Sequence, residues 1–422
     1  MPSKIYLGLF ALLTINANAN ANAQQLTLAI AEDTALQRDP SAILYSAQQA
    51  RLKAQGISQS QLADPMIKFG LSNVPVDSFS LSDDPMTQFS LGLSQQFSAG
   101  DTLELTAKGF SLQAQQSIQF AENRQLELKL QIRELWFDIS FAKIAQTILA
   151  KNKQLFSQHV TNLYRQFELG YRQNQDLIKA ELELAKFDDK IAAFAQQEQA
   201  LRGKLVSWIG PQAFDEFDSQ LPTWPQSLEY AQQANLKHYR LLADHPQVLA
   251  AQQAIDVAKN NIATANESYK PAFKVDIGYG HREALDMASG SSRSDLISGS
   301  ITMNIPLFTS NRQDQVVIAA AQGRGIKQAE KALLLIKFNG ILNGAIANFS
   351  NTKARIQRYQ DTLLVQAKSN SDAAIQGYQA NTNDFEQVIK ALMDEQALTL
   401  EYQQLHFQNL KTLARIRYFQ AL

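Results

Sequence analysis

From Thr102 to Phe167 the chain contains no proline and one glycine, Gly109. Leu128, Ile132, Leu135, Ile139 and Ala142 form one apolar stripe at helical spacing, and Phe137, Phe141, Ile144 and Ile148 form a second, displaced around the axis. One stripe serves one partner; two stripes describe a helix with neighbours on both sides, like a stave in a wall. At about 1.5 Å per residue such a run reaches roughly 100 Å. Such a length is far beyond the mean globular helix of about 11–12 residues.

The run is written twice. It follows Gln88–Phe97, in which Phe89, Leu91 and Leu93 alternate with Gln88, Ser90, Gly92 and Ser94, the period of a strand with one apolar face. A similar stretch over 298–308 precedes a second proline-free run over 311–376, and Phe97 and Phe308 are 211 residues apart. A further alternating segment stands ahead of each: Ile67, Phe69 and Leu71 against Lys68, Gly70 and Ser72, then Phe273, Val275, Ile277 and Tyr279 against Lys274, Asp276, Gly278 and Gly280. Ahead of these, Asp39-Pro40 and His245-Pro246, 206 residues apart, each open a short helix.

The expected organisation is therefore a duplicated unit, mainly α with a small β part. Residues 24–210 form a first repeat: a short helix over 39–62, strands 66–72 and 88–97, and a helical hairpin over 102–208. A connector follows over 211–245, broken by Pro211, Pro222 and Pro225. Residues 246–422 form the second repeat, with strands 272–281 and 296–305 and a hairpin over 311–420. The segment from Gln24 to Asp33 is expected to be extended and loosely packed.

Residues 1–23 read as a cleaved export signal: Lys4, an apolar run over 5–15, then Ala21-Asn22-Ala23. The chain has no cysteine, which excludes disulfides, thiolate metal sites and a lipidated N-terminal cysteine. A net charge of −1 offers no electrostatic case for nucleic acid. No later segment is expected to cross a membrane as a helix; the best, 331–349, carries Lys331, Lys337, Asn339, Asn343 and Asn348. An exported chain with one-sided apolar strands is then left with a β-barrel in an outer membrane. The alternative is a soluble sheet packed on the helices, which would make the chain a periplasmic coiled-coil adaptor.

Four strands do not close a barrel, for which about eight are needed. An open edge in lipid leaves amides unpaired at several kcal/mol each, so several chains must share one barrel. Three chains supply a 12-stranded wall around an aqueous lumen. The lumen lining is expected from Ser90, Gly92, Ser94, Asp276, Gly278, Gly280, Ser298, Ser300 and Thr302. His159, His238, His245, His281 and His406 show no metal-ligand spacing, and no nucleophile–base set or phosphate loop stands out. No enzymatic activity, cofactor or resident metal is expected.

With these residues in view, the chain resembles the TolC-like outer membrane factors over essentially its whole mature length. Phe167-x-x-Gly170 followed by Asp176 and Ala180 is similar to the family's first helical tip. Tyr378-x-x-Asn381-Thr382 followed by Val388, Ile389 and Ala391 is similar to its second. Asn381 stands where glycine is usual, and asparagine also tolerates a left-handed backbone. The stretches Asn73 to Leu81 and Asp84 to Thr87 resemble the heavy-metal-efflux, CzcC/CusC-like branch. The resemblance implies a homotrimer with a 12-helix periplasmic α-barrel continuous with the β-barrel in outer-membrane lipid. It also implies tips at 167–176 and 378–387 that meet a membrane-fusion adaptor, and an inner-membrane RND-type pump beyond it. The implied cargo is a heavy-metal cation; a drug-efflux or type I secretion duct is the other reading. The family's gate uses aspartates in the second tip. Gln387 and Lys390 occupy the matching positions here, with Asp176, Asp384 and Glu386 the nearest acidic groups. The same three charges also suit helix starts, where they complement the dipole.

Overall fold

The computed structural model describes residues 25–171, 173–233, 236–286, 290–380 and 382–422. The export signal expected over 1–23 and the tip residue Asn381 lie outside the described residues. The chain is mainly helical with one small antiparallel sheet. Its elements are α1 (Leu28–Arg38), α2 (Ser41–Gln59), β1 (Met66–Ser72), β2 (Gln88–Phe97), α3 (Thr102–Glu168) and α4 (Asn174–Ile209). Then come α5 (Pro225–Ala231), α6 (Tyr239–Leu242), α7 (Pro246–Glu267), β3 (Phe273–His281), β4 (Leu296–Met303), α8 (Gln313–Arg358), α9 (Leu364–Gln379) and α10 (Phe385–Phe419). A π-helical turn, Tyr359–Leu363, joins α8 to α9 without interrupting the rod.

The 67 residues of α3 are too many for one partner. The 19-residue α2 packs beside its sheet-proximal part and the 36-residue α4 returns along the rest. In the second repeat α7 packs on α8, and α10 returns along α8 and α9. The first stripe of α3 is mostly buried, with Leu128, Ile132, Ile139 and Ala142 inside and Leu135 half-buried, whereas in the second only Phe137 is buried and Phe141, Ile144 and Ile148 are half-buried. Three apolar clusters follow one another along the chain's helical body. One joins α1, α3, α4 and α10 around Trp136 and Phe217, whose rings stack at 4.0 Å. A second joins α5 to α8 and α10 around Phe338. The third lies where α3, α4, α9 and α10 approach their turns.

Four expectations need correction. The segment expected to be extended over 24–33 begins with a bridge from Leu26 to Phe217 and then forms α1. Thr27 caps that helix through its hydroxyl, and Ala31 and Ala35 are fully buried. Arg133 on α3 holds Glu32 at 2.8 Å, so tertiary contacts stabilise a helix too short to stand alone. The short helix expected to reach residue 62 ends at Gln59, and β4 ends at Met303, ahead of Pro306, which has no N–H for a ladder. Finally, the helical rod Gln313–Gln379 does contain a window long and apolar enough to cross a membrane, with mean hydropathy 1.4 and 22% of it buried. Its few ionic residues are spaced so that an 18-residue average outweighs the asparagines.

The sheet order is β1-β2-β3-β4, every neighbour antiparallel, and the β2–β3 pairing joins the two repeats.

Candidate functional site

Register decides what each sheet face presents. Ile67, Leu93, Ile277 and Gly299 form one row across the four strands, and Phe69, Leu91, Tyr279 and Ile297 form the next. Both belong to the apolar face, and that face is bare: Phe69 is 83% exposed and Ile297 84%. The helices do not cover it. On the opposite face the rows read Lys68, Gly92, Gly278, Ser298 and Met66, Ser94, Asp276, Ser300. Gly70, Ser90 and Gly280 form another, and Lys274 pairs with Thr302.

The residues expected to line a lumen thus share one face, with two exceptions in exposure, Ser94 and Gly280, both of which are buried. Ser94 lies in the floor between longer neighbours and is 1% exposed, so its side chain does not line anything. The face is also not uniformly small. Asp276 accepts Lys274 at 2.9 Å and lies 3.7 Å from the ammonium of Lys68. At the loop end of the sheet, Asp295 accepts hydrogen bonds from the Tyr279 hydroxyl and from the Arg282 backbone N–H. His281 Nδ1 lies 3.0 Å from the same carboxylate, so the histidine is tied to the rim. Among the described residues no three histidine or carboxylate side chains gather as a metal site.

The opposite end of the rod is built by two turns of one design. Gly170 has φ of +79°, a left-handed conformation that closes α3. Its N–H bonds the Phe167 carbonyl at 2.9 Å, and the Tyr171 N–H reaches back to Gln166 O at 2.9 Å. In the second tip the Thr382 N–H bonds Gly377 O at 2.8 Å. Thr382 and Gly377 stand 211 residues after Tyr171 and Gln166, so the same closing bond recurs in register.

Of the residues expected at this mouth, Gly170, Thr382, Asp384, Gln387 and Lys390 are exposed and Asp176 is half-exposed. Phe167 is open at its edge. Tyr378 is different: it is 9% exposed, packed in the tip core with its ring 5.3 Å from Phe385. It therefore packs the turn from within and offers little surface to a partner. Its hydroxyl donates to Gln166 Oε1 at 3.0 Å, tying α9 to α3.

Three contributors were not singled out by sequence. Phe385, 2% exposed, fills the tip core against Phe156 and Tyr378. The spacing Phe385, Val388, Ala391 held that signal, inside a stretch otherwise polar. Lys179 on α4 meets Glu386 on α10 at 2.6 Å. The hydrogen bond between them holds the Glu386 carboxyl below the usual glutamate range and raises the Lys179 ammonium. Gln166 is the third, and nothing in its local sequence marks it.

No protein-family model matches the chain. It is 23% identical over 315 residues to the outer membrane protein TolC of Vibrio cholerae, covering 69% of this chain and 65% of that relative. The chain thus spans less than two thirds of the length of the curated relative it matches. Among solved structures, CusC, described in terms of folding and transmembrane channel formation, superposes with a TM-score of 0.74 at 15% identity, over 93% of this chain and 91% of that one. The outer membrane protein VceC of Vibrio cholerae gives a TM-score of 0.74 at 15% identity, over 93% of this chain and 96% of that one. At these identities the structures speak for fold, and nearly the whole chain takes part. The chain therefore shares its fold with CusC and with VceC, and the TolC sequence match covers much of the same chain.

Proposed function

We propose that the chain is one protomer of a trimeric exit duct in the outer membrane of a Gram-negative cell. The observation that carries this is the sheet. It has an uncovered apolar face, a polar face, and outer edges on β1 and β4 that a single chain leaves unpaired. Lipid accepts the first face, water the second, and neighbouring copies the edges. Three copies close a 12-stranded wall continuous with a 12-helix periplasmic barrel. The exposed apolar side chains of α8, among them Ile326, Leu333 and Ile336, then meet a neighbouring copy instead of water.

The duct carries no energy source, so transport is coupled through a periplasmic adaptor at the tips to an inner-membrane RND-type pump. The stretches Asn73 to Leu81 and Asp84 to Thr87 are what favours the heavy-metal branch of the family. The metal is cargo here, with no resident site required.

The test is outer-membrane fractionation, trimer detection in mild detergent, and conductance after reconstitution into planar bilayers. Deletion strains are challenged with a panel of metals and drugs. Outer-membrane trimers that conduct, with lost metal tolerance, are expected. A freely soluble monomer overturns the duct. Lost drug tolerance with metal tolerance intact overturns the cargo.

A further inference from the structure

The polar face of the sheet carries only three charged residues on its strands, and they lie together. Lys68 belongs to β1 and Asp276 to β3, with β2 between them. The register partner of Lys68 on β2 is Gly92, which places no side chain between the lysine and β3. Its ammonium then lies 3.7 Å from Asp276, which Lys274 also engages at 2.9 Å. Two ammonium groups share one carboxylate, so each chain keeps one uncompensated positive charge on this face. The cluster borders a depression of about 420 Å³ that Ser298 and Ser300 also line. Ammonium and hydroxyl donors around a shallow concavity suit an anion.

We propose that Lys68, Asp276 and Lys274 form an anion-selecting ring in the lumen. The inference rests on the trimeric duct proposed above, in which three such clusters face one bore at one level. Rings of basic side chains are the means by which pores favour anions, and a bore walled by low-dielectric material concentrates their field. The ring favours anions, so the heavy metal of the reading above passes this level as an anionic complex and not as the free cation. Free divalent cations are opposed at this level.

The experiment is the reversal potential of the reconstituted trimer in a potassium chloride gradient, which reads the chloride-to-potassium permeability ratio. The native protein is expected to favour chloride. Lys68→Gln with Lys274→Gln should lower the ratio several-fold, and Asp276→Asn should raise it. Lys68→Arg with Lys274→Arg preserves the charge and should leave the ratio near the native value, which separates charge from folding. A ratio unchanged in conducting Gln and Asn variants overturns the ring and leaves the duct standing. A trimer that conducts neither as the native protein nor as the Glu386→Gln, Tyr378→Phe variant overturns the duct itself, and the ring with it.

Discussion

Lys179 on α4 and Glu386 on α10 meet at 2.6 Å, joining the two helical hairpins beside their turns. The Tyr378 hydroxyl on Gln166, at 3.0 Å, makes a second link between hairpins at the same end. The two hairpins are thus tied within one chain by an ion pair at the surface and a hydrogen bond beneath it. In the duct proposed above, opening the mouth requires the hairpins to separate, so both contacts oppose it.

Glu386→Gln combined with Tyr378→Phe is expected to raise the conductance of the reconstituted protein, with trimer assembly unchanged. The native ion pair also predicts a pH dependence. The folded Glu386 pKa lies below the ordinary value of 4.5, so the pair is intact at neutral pH and is lost as pH falls through that lowered value. Conductance should therefore stay level down to about pH 4.5 and rise below it. The variant should show no such rise.

His245 is fully buried against Phe338, Tyr418 and Phe419, and its Nδ1 accepts the Gln247 N–H at 3.3 Å to cap α7. Burial lowers its pKa from 6.5 to about 4. The unfolded chain takes up a proton between those values and the folded chain does not, so stability falls as pH drops across that window. The limit is roughly 3 kcal/mol. His245→Asn keeps a capping side chain and should flatten the decline, read as melting temperature in detergent between pH 7 and 4.

Gly100 closes the turn between β2 and α3 with φ of +48°. A Cβ there would meet Glu267 Oε2 at 1.8 Å, the atom that accepts the Asp101 N–H at 2.7 Å and Lys270 at 2.6 Å. Gly100→Ala is expected to destabilise the protein by about 1–3 kcal/mol through backbone strain and loss of this junction. Chemical denaturation of the assembled trimer measures it.

Leu91 stands in the middle of the apolar row from Phe69 to Ile297. Leu91→Arg places a charge against lipid and is expected to cost about 2–4 kcal/mol near the bilayer midplane. The yield of outer-membrane trimer should fall steeply. Ser298→Arg, on the opposite face, should leave that yield close to native.

Periodicity is a local property, and the elements that obey one were legible in the residues. The stripes of α3, the alternation of β2 and β3 and the offset of 211 required no partner to be seen. Glycine at 170 likewise announced its turn, because few other residues enter that backbone region cheaply. What the residues left undecided was whatever depends on two distant segments meeting. α1 is a helix because Arg133, 101 residues away, holds Glu32. Tyr378 read as a surface tip residue and is a core residue, because Phe385 arrives beside it across the turn. Lys68 and Asp276 are separated by about half the chain, and only the pairing of β1 through β2 to β3 makes them neighbours. Alternation says that a strand has two faces; the register across strands says which charges share one.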